Sequence, residues 1–196
     1  MWSGRLATGF DLGTDHSMAF GVSGAFGPNA TGEGAATTIY GADFVWKWQP
    51  AGAERGTPFL KVEAEIVGRD FETAAQVDAS VPSTPVDLPA TTLHDLGGFV
   101  QGTWGFAAGW AVGLRAETAS GSGQSYDPGG QTFDTASDPW RAERLRISPI
   151  LTCKPSEFSR IRLQYDYDDS DALAEPVHTV WLGFEFLIGT HPPHAY

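Results

Sequence analysis

The chain has 196 residues, enough for one sizeable domain, and its 24 glycines, 7 tryptophans and 41% hydrophobic content suit a β-rich fold. No stretch approaches the roughly 18 consecutive apolar residues of a spanning helix. A formal charge of −12 argues against nucleic-acid binding, which needs a basic footprint, and the single cysteine, Cys153, can form neither an intramolecular disulfide nor a cysteine-type metal site.

Trp2, Leu6, Phe10 and Leu12 share one parity and Ser3, Arg5, Ala7 and Asp11 the other, which predicts a first strand closed by a Gly13-Thr14-Asp15 turn. Successive side chains of a strand point to opposite faces, so this spacing sets an apolar stripe against a polar one. Met18, Phe20, Val22 and Phe26 form the apolar stripe of a second strand, opposite Ala19, Gly21, Ser23 and Ala25, and a Gly/Asn/Thr-rich loop spans 27–36. A third strand places Tyr40, Ala42, Phe44, Trp46 and Trp48 opposite Asp43 and Lys47, ending at the turn Gln49-Pro50-Ala51-Gly52. In a fourth, Leu60, Val62, Ala64 and Ile66 alternate with Lys61, Glu63, Glu65 and Arg69, a charge density hard to reconcile with a dry core. Residues 71–93 read as a long surface loop, partly folded on itself.

A fifth strand, 96–106, carries Val100 and Trp104 on one face and Gln101 and Thr103 on the other. The turn Ala107-Ala108-Gly109 leads to a sixth, with Trp110, Val112, Leu114 and Ala116 against Gly113, Arg115 and Glu117; a second long loop spans 120–138. A seventh strand, 140–152, sets Leu145, Ile147 and Leu151 against Arg144, Arg146 and Ser148, with a bulge or local break expected at Pro149. After the turn Lys154-Pro155-Ser156, the stretch 157–189 holds two strands joined by an acidic loop. Ile161, Leu163, Tyr165 and Tyr167 alternate with Arg160, Arg162, Gln164, Asp166 and Asp168, then Val180, Leu182, Phe184, Phe186 and Ile188 with Thr179, Trp181, Gly183, Glu185 and Leu187.

A soluble sandwich or lipocalin-like barrel also alternates. The charged polar stripes and the large aromatic apolar stripes favour lipid outside and water inside a transmembrane barrel, whose alternate apolar residues also leave the mean hydropathy of −0.19 uninformative. Connections read as short near residues 14, 51, 108 and 155 and longer near 31, 81, 129 and 172, the asymmetry of periplasmic turns and external loops. Trp46, Trp48, Trp104 and Trp110 then fall near the periplasmic ends of their strands, at the height of an aromatic girdle; the alternative is that they pack a core.

The expectation is an all-β, up-and-down transmembrane barrel domain over 1–196, with about nine strands present. Bacterial single-chain barrels usually have even strand numbers, and no export signal precedes the first strand, so a C-terminal fragment of a larger barrel is expected. Further strands would come from an N-terminal segment or from a partner copy in a homo-oligomer, because hydrocarbon does not tolerate open sheet edges.

The stretch from Pro155-Ser156-Glu157-Phe158-Ser159-Arg160-Ile161-Arg162-Leu163-Gln164-Tyr165 and the ending Val180-Trp181-Leu182-Gly183-Phe184-Glu185-Phe186-Leu187-Ile188-Gly189-Thr190-His191-Pro192-Pro193-His194-Ala195-Tyr196 resemble the C-terminal half of bacterial outer-membrane proteins related to phosphate-selective porins, a group often labelled zinc-regulated TonB-dependent receptor-like. Gly27-Pro28-Asn29 and Thr38-Ile39-Tyr40-Gly41-Ala42-Asp43-Phe44 fit as well, so the similarity spans most of the chain. The resemblance implies an outer-membrane location, lipid as the surrounding partner and Tyr196 as the terminal residue read by the barrel-assembly machinery. No stretch looks like a plug domain, so energy-coupled uptake is not implied.

With the polar parity assigned to the lumen, Arg115, Arg144, Arg146, Arg160 and Arg162 line neighbouring strands as one basic patch, while Asp43, Glu63, Glu65 and Glu185 lie on other strands. Such walls orient hydrophilic solutes and favour anions near the arginines; the alternative is that the arginines pair with carboxylates such as Glu117 and Asp166 across strands. His178, His191 and His194 suggest a metal, but His-Pro-Pro-His does not align two imidazoles on a helix, and a solvated tail is the plainer reading. No nucleophile-elbow or metalloprotease motif points to catalysis, and nothing points to a cofactor. The leading expectation is a porin-like diffusion channel for small hydrophilic solutes, anions among them. The alternatives are a structural or adhesive surface barrel and a soluble barrel binding an apolar ligand.

Overall fold

The computed structural model describes residues 1–78, 86–123 and 141–188. Those residues are all-β. Eleven strands follow one another: β1 Trp2–Leu12, β2 His16–Pro28, β3 Ala36–Trp48, β4 Phe59–Thr73, β5 Gln76–Asp78, β6 Val86–Leu88, β7 Thr91–Ala107, β8 Trp110–Gly123, β9 Arg144–Ser156, β10 Ser159–Ser170 and β11 Val177–Phe186. Nine form one antiparallel sheet in the order β1-β2-β3-β4-β7-β8-β9-β10-β11, and β5 pairs with β6 as a separate hairpin. Among the described residues the sheet is open, β1 and β11 each pairing on one side only.

The nine long strands are those the alternation predicts, and β5–β6 is the folded part of the first long loop. Several boundaries differ. β7 and β8 run further toward the loop end than expected, so that 91–95 and 120–123 are strand, while β9 begins at Arg144 and continues through Lys154-Pro155-Ser156 to a turn at 157–158. Trp140, predicted to open that strand, and 124–138 of the second predicted loop lie outside the described residues. The connection predicted as a short turn at 49–52 spans 49–58, longer than the 29–35 loop at the opposite end, so the strict short–long alternation fails there. The extra residues close a small bridge between Glu54 and Thr57. At Pro149 the β9–β10 pairing is interrupted between Ile147↔Tyr167 and Ile150↔Gln164 but resumes in the same register; the bulge lies instead between Ser159 and Ile161.

Register carries the period-two pattern across the whole sheet. One row of paired residues reads Leu12, His16, Trp48, Leu60, Trp104, Val112, Leu151, Leu163 and Leu182, one per strand and apolar except at His16. The adjacent row on the other face reads Asp11, Ser17, Lys47, Lys61, Thr103, Gly113, Ile150, Gln164 and Trp181. The apolar face is open: Leu6 is 75% exposed, Val100 50% and Phe184 60%. The only buried hydrophobic side chains among the described residues are Ala35, Ala142 and Ile150, so neither face closes into the dry core that a soluble antiparallel sheet builds on one side.

Candidate functional site: the polar face

Charged side chains on the polar face are sorted by register into ion pairs. One row runs Ala7, Gly21, Asp43, Glu65, Phe99, Glu117, Arg146, Asp168 and Val177. At one end Arg5 reaches from β1 across β2 to Asp43 on β3, donating to both carboxylate oxygens at 2.6 and 2.9 Å. Gly21 lies beneath this bridge, where a Cβ would come within 2.5 Å of the guanidinium and 2.6 Å of the carboxylate.

A denser network occupies β8–β11. Asp168 accepts from Arg144 at 2.7 Å and from Arg146 at 2.6 Å, and Arg146 also faces Glu117 at 3.9 Å. Arg115 donates to Glu117 at 2.8 Å and lies over the Phe99 ring at 3.6 Å. One row nearer the turns, Asp166 accepts from Ser148 Oγ at 2.6 Å, Gln164 Nε2 at 2.6 Å and Trp181 Nε1 at 2.9 Å. Long side chains lying flat over the sheet bury these groups: Ser148 is fully enclosed, and Asp166 and Asp168 nearly so.

All nine predicted lining residues fall on this polar face, but the five arginines do not form one free basic patch. Arg115, Arg144 and Arg146 belong to the network, Arg160 pairs with Glu185, and Arg162 donates to Gln164 with no carboxylate partner among the described residues. Glu63 pairs with Lys61 at 2.7 Å and Asp43 with Arg5, whereas Glu65 has no ion-pair or hydrogen-bond partner among the described residues. The alternation did not single out Arg5, Phe99, Ser148 or Asp168. Their parity was available, but their partners emerge only once strand register is known.

At the loop end, Asp95 bridges Arg69 at 2.5 Å and Arg141 at 2.8 Å, and Arg141 also donates to the carbonyls of His94 and Ser122. This ties the returning chain to the rims of β7 and β8. On the opposite, apolar face, Asp70 and His94 meet at 2.6 Å and end the apolar stripe of β4 and β7, while Phe26 and Trp2 continue it in the same row on β2 and β1.

The four predicted girdle tryptophans share the apolar face and cluster at the turn end: Trp46 and Trp48 close β3, Trp104 lies near the end of β7, and Trp110 opens β8. His16 stacks on Trp46 at 5.7 Å. Cys153 is half-buried opposite Trp110. His178 is engaged by Tyr165, whose hydroxyl is 2.5 Å from its Nδ1, and by the edge of Tyr167. His191, His194 and Tyr196 lie outside the described residues, among which no group of three or more His, Cys, Asp or Glu side chains is arranged to hold a metal and no helix is long and apolar enough to cross a membrane.

No protein-family model, curated protein or solved structure matches the chain. The family resemblance therefore rests on the residue stretches quoted above.

Proposed function

We propose that this chain forms part of the wall of a bacterial outer-membrane β-barrel through which small hydrophilic solutes diffuse, and that it is related to the phosphate-selective-porin group it resembles. The observation that carries the reading is the continuous exposed apolar face set against a charged, hydrogen-bonded opposite face. On β7 the apolar stripe runs from Leu96 to Phe106. At ~3.4 Å per residue that is ~34 Å along the strand, or ~26 Å of height at a ~40° tilt, against an outward apolar band ~25 Å tall in such barrels. The tryptophans at the turn end supply an interfacial girdle, and the Asp70–His94 pair ends the stripe of β4 and β7 at the loop end.

Closure follows strand direction. Nine strands in an up-and-down sheet leave β1 and β11 running the same way, so an all-antiparallel barrel needs an odd number of further strands. A second copy in the same membrane orientation would meet this one through parallel seams, which makes additional antiparallel strands the better completion. Anion preference has weaker support than hydrophilic passage, because four of the five wall arginines are engaged by three carboxylates, which leaves little free positive charge. Reconstitution into planar bilayers tests the function: discrete conductance steps are expected. A monodisperse monomer in detergent-free buffer, with no conductance, would overturn it.

A further inference from the structure

The polar face holds a hollow of about 410 Å³ between β4 and β9, within the ~300–1,000 Å³ range of small-molecule sites. Its floor is a single row, Val67, Gly97 and Ala119, which runs directly to Arg144. The floor is deep because its side chains are small beside the long ones around it: a Cβ at Gly97 would meet nothing closer than 3.6 Å. Phe99, half-buried beneath the Arg115 guanidinium, adds an aromatic ring to the apolar lining.

The two ends differ in charge. On the β4 side stands Glu65, exposed and without an ion-pair or hydrogen-bond partner among the described residues, the guanidinium of neighbouring Arg5 being held by Asp43. On the β9 side stand Arg144 and Arg146, which together with Arg115 on β8 set three guanidiniums against two carboxylates, Asp168 and Glu117. We propose that this hollow binds a short zwitterionic peptide, its amine at Glu65, its carboxylate at Arg144 and Arg146, and its backbone across the Val67–Gly97–Ala119 floor. Length decides between a free amino acid and a peptide. The β4 and β9 backbones are three strand spacings apart, ~14 Å, and three extended residues span ~10 Å; the length of the Glu65 side chain and of Arg146, whose guanidinium also faces Glu117 on β8, takes up the difference. A single amino acid would satisfy one end only.

The proposal rests on the reading of this face as a water-filled lumen wall, and its test separates the two. Trialanine is titrated calorimetrically into the purified protein in detergent micelles, alongside N-acetyl-trialanine amide and free alanine, while conductance is measured without peptide. Trialanine should bind, with the capped peptide and alanine at least about tenfold weaker, and Glu65→Gln and Arg144→Gln should each weaken trialanine by about tenfold or more, the loss of one charge-assisted contact. Equal binding of the capped peptide, or no binding of trialanine, overturns the site even if the protein conducts. Binding without conductance keeps the site and removes the channel.

Discussion

Arg5 and Asp43 meet at 2.6 Å although a whole strand separates them, because Gly21 on that strand carries no side chain to stand between them. The bridge fastens the edge strand β1 to β3 in addition to its ladder with β2, and its geometry depends on the glycine. Gly21→Val should part the pair by displacing the far ends of two flexible side chains, lowering stability by no more than the small worth of an exposed ion pair. Urea unfolding in micelles measures it, and adding Arg5→Ala to the same chain should change stability little further, the pair being already parted.

The exposed apolar face makes a depth-dependent prediction. Val100, mid-strand on β7 and half exposed, should tolerate arginine poorly in lipid, by about 2–4 kcal/mol, while Thr92→Arg at the loop end of the same face should cost about 0–1 kcal/mol. Refolding titrations into bilayers compare the two. In a soluble protein both positions would be ordinary surface and the difference would vanish.

The strands were legible because their signal is local: a period of two over seven or more residues needs no knowledge of partners. Strand ends are not local. β7 continues through Thr91–Asp95 on the ladder that β4 supplies, and β8 through Ser120–Gly123 on the ladder that β7 supplies, although those residues have the composition of a loop. The Pro50-Ala51-Gly52 signal was genuine but marks only the start of the 49–58 connection. The polar face was legible as a face and not as a network: whether Arg146 lies opposite Asp168 or Asp166 depends on where the 157–158 turn falls, and placing that turn earlier, at 154–156, hides the pairing.

The Asp168 and Asp166 networks should differ in cost. Ser148→Ala removes one of three donors to Asp166 from a fully enclosed site, a loss of about 1 kcal/mol. Asp168→Ala leaves Arg144 and Arg146 facing each other without their shared carboxylate and should cost more, about 1–3 kcal/mol. Paired thermal or urea melts of the two variants give the order. Equal, negligible losses would mean that water replaces these contacts freely.

In the proposed channel, ion selectivity should follow net charge on the wall, since a compensated pair contributes only a short-range dipole. Arg160 and Glu185 form such a pair, while Arg162 donates only to the neutral Gln164. The double variant Arg160→Gln with Glu185→Gln changes no net charge and should leave the reversal potential in a salt gradient nearly unmoved. Arg162→Glu changes it by two units at a position with no compensating carboxylate among the described residues and should shift the reversal potential toward cations, more strongly at low than at high ionic strength, as screening requires. Should the neutral double variant move the reversal potential as far as Arg162→Glu does, geometry at the β10–β11 edge, not charge, would govern selectivity.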